Sequence, residues 1–326
     1  MVETYEIRLF PKYLSLVAGG DHILRRPGRF AAIVRGVVGD PLFVRIGELD
    51  QQLRNSGLGR AFAFWKIQRN YDEEELDRAA LFLVKIPFTE ISAEEYGTQY
   101  QDSSDCEPEI RVLEHVHELD FRIASKKVSC ALHSKQLGPL RVAFRKLKTN
   151  LDVYRFWGGE IVVSERFISL VHQGECSGAK FLPIVDAKDD YVTSPFEFSN
   201  SQNKVSIEGK ANPGRRRNLA QLTFESKPIV VSQGSQFGET PFDKDNKDYH
   251  RCDAGVIAGR RLISTLSVLR SSWDGSDLCR TDVYVGGQRQ GLFRPQQLIV
   301  VSKRLFQAMR KQEIKGIQFE VADVVL

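Results

Sequence analysis

At 326 residues the chain exceeds one typical domain of about 100–200 residues, and a 42% hydrophobic content is ample for a packed core. No apolar run approaches the ~20 residues of a membrane-spanning helix, and Met1 to Glu6 lack the basic-then-apolar pattern of a secretory signal, so a cytoplasmic protein with no membrane contact is expected. The formal charge of +4 is too mild to define a class, and five scattered cysteines (Cys106, Cys130, Cys176, Cys252 and Cys279) argue against a disulfide framework.

In chain order, strand patterns fall at 5–10, 31–38 and 61–68, with a short helix over 48–55 closed by Gly57. Asp72 and Glu75 have the spacing of a capping box, which predicts a helix with Leu76, Ala79, Ala80 and Leu83 as its buried stripe, ended by Pro87. The polar stretch 92–106, with its paired Glu94 and Glu95, marks a boundary. Residues 140–145 alternate like a half-buried strand, with Leu140, Val142 and Phe144 inward. A mobile loop is expected over 199–218 and a turn-rich stretch over 234–253. Helical spacing follows at 257–269, and a strand pair over 283–292 around Gly286 and Gly287.

One segment is written twice. Ile161-Val162-Val163-Ser164-Glu165-Arg166-Phe167 returns as Ile299-Val300-Val301-Ser302-Lys303-Arg304-Leu305, 138 positions later, and 8 of the 21 positions over 161–181 are identical to those over 299–319. Each copy reads as a β-branched strand, a serine cap, a short amphipathic helix, a glycine turn and a second strand. The expected fold is therefore α+β, with mixed sheets and a duplicated strand–helix–strand unit at 161–185 and 299–325. Three regions are expected: 1–104, 105–190 with the first copy, and 191–326 with long loops and the second.

Charge is segregated. Residues 122–148 hold eight basic side chains and no acid, whereas 102–120 hold seven acids against Arg111. Residues 204–217 carry five more basic residues against Glu208. The interface candidates are Arg122, Lys126, Lys127, Arg141, Arg145, Lys146 and Lys148, groups that would meet an acidic protein surface or a phosphate backbone. His115, His117, Cys130 and His133 have the right donor types for zinc but not a standard finger spacing, so no metal or cofactor is assigned. The Asp274 to Asp277 segment reads as a tight turn. No phosphate loop, nucleophile elbow or His-Glu-x-x-His motif is present, which points away from an enzyme.

The strand–serine–helix–glycine–strand unit is similar to a segment of bacterial double-CxxCG-motif proteins, some of them immunity proteins that protect a cell against toxins passed between neighbours. Residues 298–319 resemble that family's C-terminal segment, and 65–106 resemble bacterial proteins with a cysteine pair after that region. Cys106 and Cys252 each stand alone where the family has two cysteines, so no metal ligand carries over. The resemblance implies a protein that binds and neutralises a toxin-like partner. The alternative is a nucleic-acid-associated protein using the basic 122–148 segment, with Arg215 to Arg217 as an arm.

Overall fold

The computed structural model describes residues 1–17, 23–28, 31–89, 92–101, 109–117, 120–127, 135–188, 191–193, 218–243, 256–258, 260–286, 288–289, 292–293 and 295–326. The fold is α+β. An N-terminal four-stranded antiparallel sheet runs in the order Ile23–Gly28, Ala31–Val37, Val2–Leu9, Phe62–Asn70. The helix Pro41–Asn55 packs Leu42, Phe43, Ile46 and Leu53 into that sheet's core. It begins earlier than the expected 48–55 because Asp40 caps it, accepting from the Phe43 N–H at 2.6 Å, and Pro41 suits the first turn.

The capping box at Asp72 and Glu75 forms as expected, but the helix covers only Glu73–Arg78. Leu83 is not on a helical stripe. It lies in the strand Leu81–Lys85, whose apolar run is buried on both faces, and a two-sided apolar run carries no periodicity to separate strand from helix. The same ambiguity corrects 257–269, which forms strands at Val256–Ala258, Arg261–Leu262 and Leu266–Leu269 rather than a helix. At 140–145 the strand is only Leu140–Val142. A 3-10 turn, Phe144–Lys146, follows, and Leu140, Val142 and Phe144 are all buried. Over 283–292 the strand Leu278–Gly286 is followed by a small Gln288–Arg289 and Leu292–Phe293 pair.

The two echoing segments build two units with the same frame. In the first, a four-stranded sheet runs Val153–Arg155, Ile161–Ser164, Leu219–Phe224, Ala179–Leu182, with the helix Glu165–Gln173. In the second, the inner strands of a six-stranded sheet run Leu278–Gly286, Gln296–Ser302, Leu81–Lys85, Gln318–Val325, with the helix Lys303–Lys311. The third strand of each sheet comes from outside its own chain segment. Ser164 stands opposite Leu219 and Ser302 opposite Leu81, and those two partners are again 138 residues apart. Phe181 opposite Leu222 and Phe319 opposite Val84 repeat the relation. Each unit therefore receives the strand that chain order would give to the other, and the sheets cross the expected division into 1–104, 105–190 and 191–326.

Both helices lie in one core between the sheets. Ile161, Val163, Ile299 and Val301 face that core with Phe82, Phe167, Leu305 and Phe306, while Val162 and Val300 face separate clusters on the outer sides. Burial on both faces explains why each strand is written as an unbroken Ile-Val-Val. Phe181 is buried and meets Phe167 edge-on at 6.5 Å. Phe319 is half-buried and meets Phe306 edge-on at 5.0 Å.

A reciprocal pair of aspartates locks the units together. Asp152 accepts from the Ser164 hydroxyl at 2.8 Å and from the Lys315 N–H of the other unit at 2.9 Å. Asp277 accepts from the Ser302 hydroxyl at 2.6 Å and from the Ser177 N–H of the other unit at 2.9 Å. Each serine in turn caps its helix, taking the N–H of Phe167 at 3.3 Å or Leu305 at 3.2 Å. Gly178 and Gly316 follow at φ +89° and +96°, and a Cβ there would stand 2.2 Å from the Leu278 carbonyl oxygen or 2.4 Å from that of Val153. Only glycine permits both the left-handed backbone and the close approach. The N-terminal sheet is tied on by Arg69, which bonds Glu3 at 2.8 Å, Glu320 at 3.1 Å and the Ile263 carbonyl.

Candidate functional site

Arg122, Lys126 and Lys127 lie on the strand Asp120–Lys127, paired with Glu109–His117, and their side chains fall outside the described residues. Arg141 is half-buried and donates its Nε to the Tyr96 carbonyl at 3.2 Å. Arg145, Lys146 and Lys148 are exposed on and just after the turn Phe144–Lys146. That turn is anchored by buried Phe144 and Leu147 and closed by backbone bonds of 2.9 and 3.1 Å. The second unit has the same turn, Arg270–Ser272, after the matching strand Leu266–Leu269. Leu140 pairs with Ile184 and Leu266 with Ala322, both in parallel, which fixes the correspondence. In the second turn Ser271, Ser272 and Asp274 stand where the first has Arg145, Lys146 and Lys148.

His115 and His117 lie on the strand Glu109–His117 without described side chains, and Cys130 and His133 lie outside the described residues. Asp274 makes the expected turn, accepting from the Ser276 N–H at 2.9 Å. Asp277 instead serves the clamp. Burial works to raise its pKa, but hydrogen bonds from Arg304, Ser302 and the Ser177 N–H outweigh burial and hold it at about 2. Burial pushes the Cys176 thiol up and the Cys279 thiol up to about 11, so neither is an activated nucleophile.

A cavity of about 490 Å³ opens where the N-terminal sheet, the six-stranded sheet and the residues after Val153–Arg155 meet. Its aromatic lining is Phe64, Trp65, Phe88 and Trp157. Arg155, Arg260 and Arg261 also line it, and no carboxylate does so among the described residues. The Arg261 guanidinium sits 5.4 Å from the Phe64 ring and 5.7 Å from that of Trp65, and it donates to the Trp65 carbonyl at 3.1 Å. Arg155 sits 5.2 Å from the Phe88 ring and donates one terminal nitrogen to the Gln297 carbonyl at 3.4 Å. Its Nε is out of solvent with no hydrogen-bond partner among the described residues. Burial pushes its pKa down to about 10, which leaves it charged at neutral pH. Arg280, the corresponding residue of the second unit, has its Nε in the same state, and both arginines line an adjoining cavity of about 340 Å³.

Sequence reasoning did not reach this cleft. Its residues come from six separated segments, and only Arg155-Phe156-Trp157 and Arg260-Arg261 gave any local hint. No protein-family model matches the chain, and no curated protein matches it.

Proposed function

We propose that this chain acts by binding a protein partner rather than by catalysis, as an immunity-like protein that neutralises a bacterial toxin by direct contact inside the cell. The observation that carries the reading is the pair of matching turns. Arg145, Lys146 and Lys148 occupy a turn whose counterpart holds Ser271, Ser272 and Asp274, so the frame has no need of the three cations. Exposed charge on a rigid support steers a complementary acidic surface and fixes its orientation. The resemblance to immunity proteins supplies the kind of partner.

The test moves the second turn's chemistry onto the first, as the triple variant Arg145→Ser, Lys146→Ser, Lys148→Asp. Surface changes of this kind shift stability by no more than about 0.5 kcal/mol. The native chain is expected to recover a toxin from its host and to protect cells expressing it, and the variant to do neither. Equal protection by both chains, or no protection against any toxin encoded beside the gene, would defeat the proposal. A nucleic-acid gel shift that is strong at low salt and lost at moderate salt would replace it with the alternative reading.

A further inference from the structure

We infer that the cavity of about 340 Å³ beside Arg280 is a binding site for a sugar acid, a small hydroxylated ring carrying one carboxylate. The inference is independent of the protein-partner reading and rests on different residues.

The cavity lies where the first unit's sheet meets the strand Leu278–Gly286, and its volume falls within the roughly 300–1,000 Å³ of small-molecule sites. Arg280 is the focus. It comes from that strand, opposite Ile299, and is half-buried. Among the described residues its side chain has no ion pair, hydrogen bond or ring contact. A cation drawn out of water without a counter-ion is costly, and a ligand carboxylate would offset that cost. Its Nε is shut away from solvent, so the contact falls to the two terminal nitrogens, whose N–H groups match the two oxygens of a carboxylate.

The rest of the wall suits hydroxyls. The Tyr284 hydroxyl and the Gln296 amide line the cavity, and neither makes a hydrogen bond among the described residues. Between them they donate and accept, as each sugar hydroxyl does. Gly159 leaves room for the amide: its φ is +96°, and a Cβ there would stand 3.1 Å from the Gln296 side-chain nitrogen. Glu94 and Glu160 line the same cavity and set a limit on the ligand's charge. One carboxylate is matched by Arg280, whereas the near-double charge of a phosphate would be repelled by the two glutamates.

The full chain is titrated by isothermal calorimetry with glucuronate, galacturonate, glucose, glucose 6-phosphate and acetate in turn. Saturation by one or both uronates is expected below about 10 mM, with the other three at least about tenfold weaker. Arg280→Gln should cancel the advantage of the bound uronate over glucose, because it removes the charge and keeps a donor. Gln296→Ala and Tyr284→Phe should each weaken the uronate about threefold or more, with the circular dichroism spectrum unchanged. If Arg280→Gln does not fold, Gln296→Ala and Tyr284→Phe decide, because each removes a polar group that bonds nothing else among the described residues. Absence of saturation by either uronate up to about 10 mM would overturn the site. So would binding of glucose or glucose 6-phosphate as tight as that of the uronate, or native affinity in the variants that fold.

Discussion

The first and second units share strand register, helix caps and the aspartate clamp, yet they differ wherever the frame leaves a side chain free. In the strand each borrows, Phe82 stands opposite Val301 where Ala220 stands opposite Val163. Phe82 stacks on Phe306 with ring centroids 3.7 Å apart, whereas the first unit has Ile168 at the position of Phe306 and its own aromatic one residue earlier, at Phe167. The clamps differ too. Arg304 donates its Nε to Asp277 at 3.0 Å, while Arg166 stands 3.6 Å from Asp152. Caps and close approaches are thus held alike on both sides, while core volume and surface charge vary. Features of the first kind serve the fold, and features of the second kind are where a function can be written.

The comparison breaks most readily at Phe82. Phe82→Ala removes a fully buried ring from the shared core and should cost about 3–5 kcal/mol in urea denaturation. The converse change, Ala220→Phe, should cost about 1–3 kcal/mol by overpacking. A loss below about 1 kcal/mol for Phe82→Ala would mean that the borrowed strand is not integral to the second unit.

The clamp sharpens it next. Asp277→Ala leaves the Ser302 hydroxyl and the Ser177 N–H without their acceptor and should cost about 2–3 kcal/mol, more than Asp152→Ala, whose arginine is looser. The native carboxylate titrates at about 2, below its unfolded value near 4. Its contribution is therefore complete above about pH 4 and falls away as pH drops through about 2, a loss of roughly 2 kcal/mol. Asp277→Ala should flatten that acid limb of the stability curve. An unchanged limb would show that Asp277 is not the group responsible.

Half of this frame was legible in the sequence. A helix start needs a side-chain oxygen, a two-sided strand needs an apolar run, and a left-handed close approach needs glycine, so Ser164, Ser302, Gly178 and Gly316 could be matched by eye. The borrowed strands could not. Leu81–Lys85 and Leu219–Phe224 share only Leu81 and Leu219 at matching positions, because backbone pairing fixes their register while side-chain identity and size follow each unit's own core, as Phe82 against Ala220 shows. Asp277 looked like an ordinary turn residue because its partners, Ser177 and Ser302, are far away in the chain. The cleft was hidden for the same reason, since Trp65, Phe88, Arg155 and Arg261 are far apart in the chain and only tertiary packing brings them together.

The smallest and most discriminating test is the pair of serines. As helix caps alone, Ser164→Ala and Ser302→Ala should each cost about 0.5–2 kcal/mol. The two are not equally placed. Ser302 is buried, and its hydroxyl joins the helix N-terminus to a carboxylate that Arg304 also holds. Ser164 is half-buried and shares Asp152 with a more distant arginine. Ser302→Ala should therefore fall at the upper end of the range and Ser164→Ala at the lower. Combining Ser302→Ala with Asp277→Ala should cost less than the sum of the two, because both remove one hydrogen bond. Strict additivity would mean that Ser302 acts only as a cap and that the clamp is held by Arg304 and the Ser177 N–H.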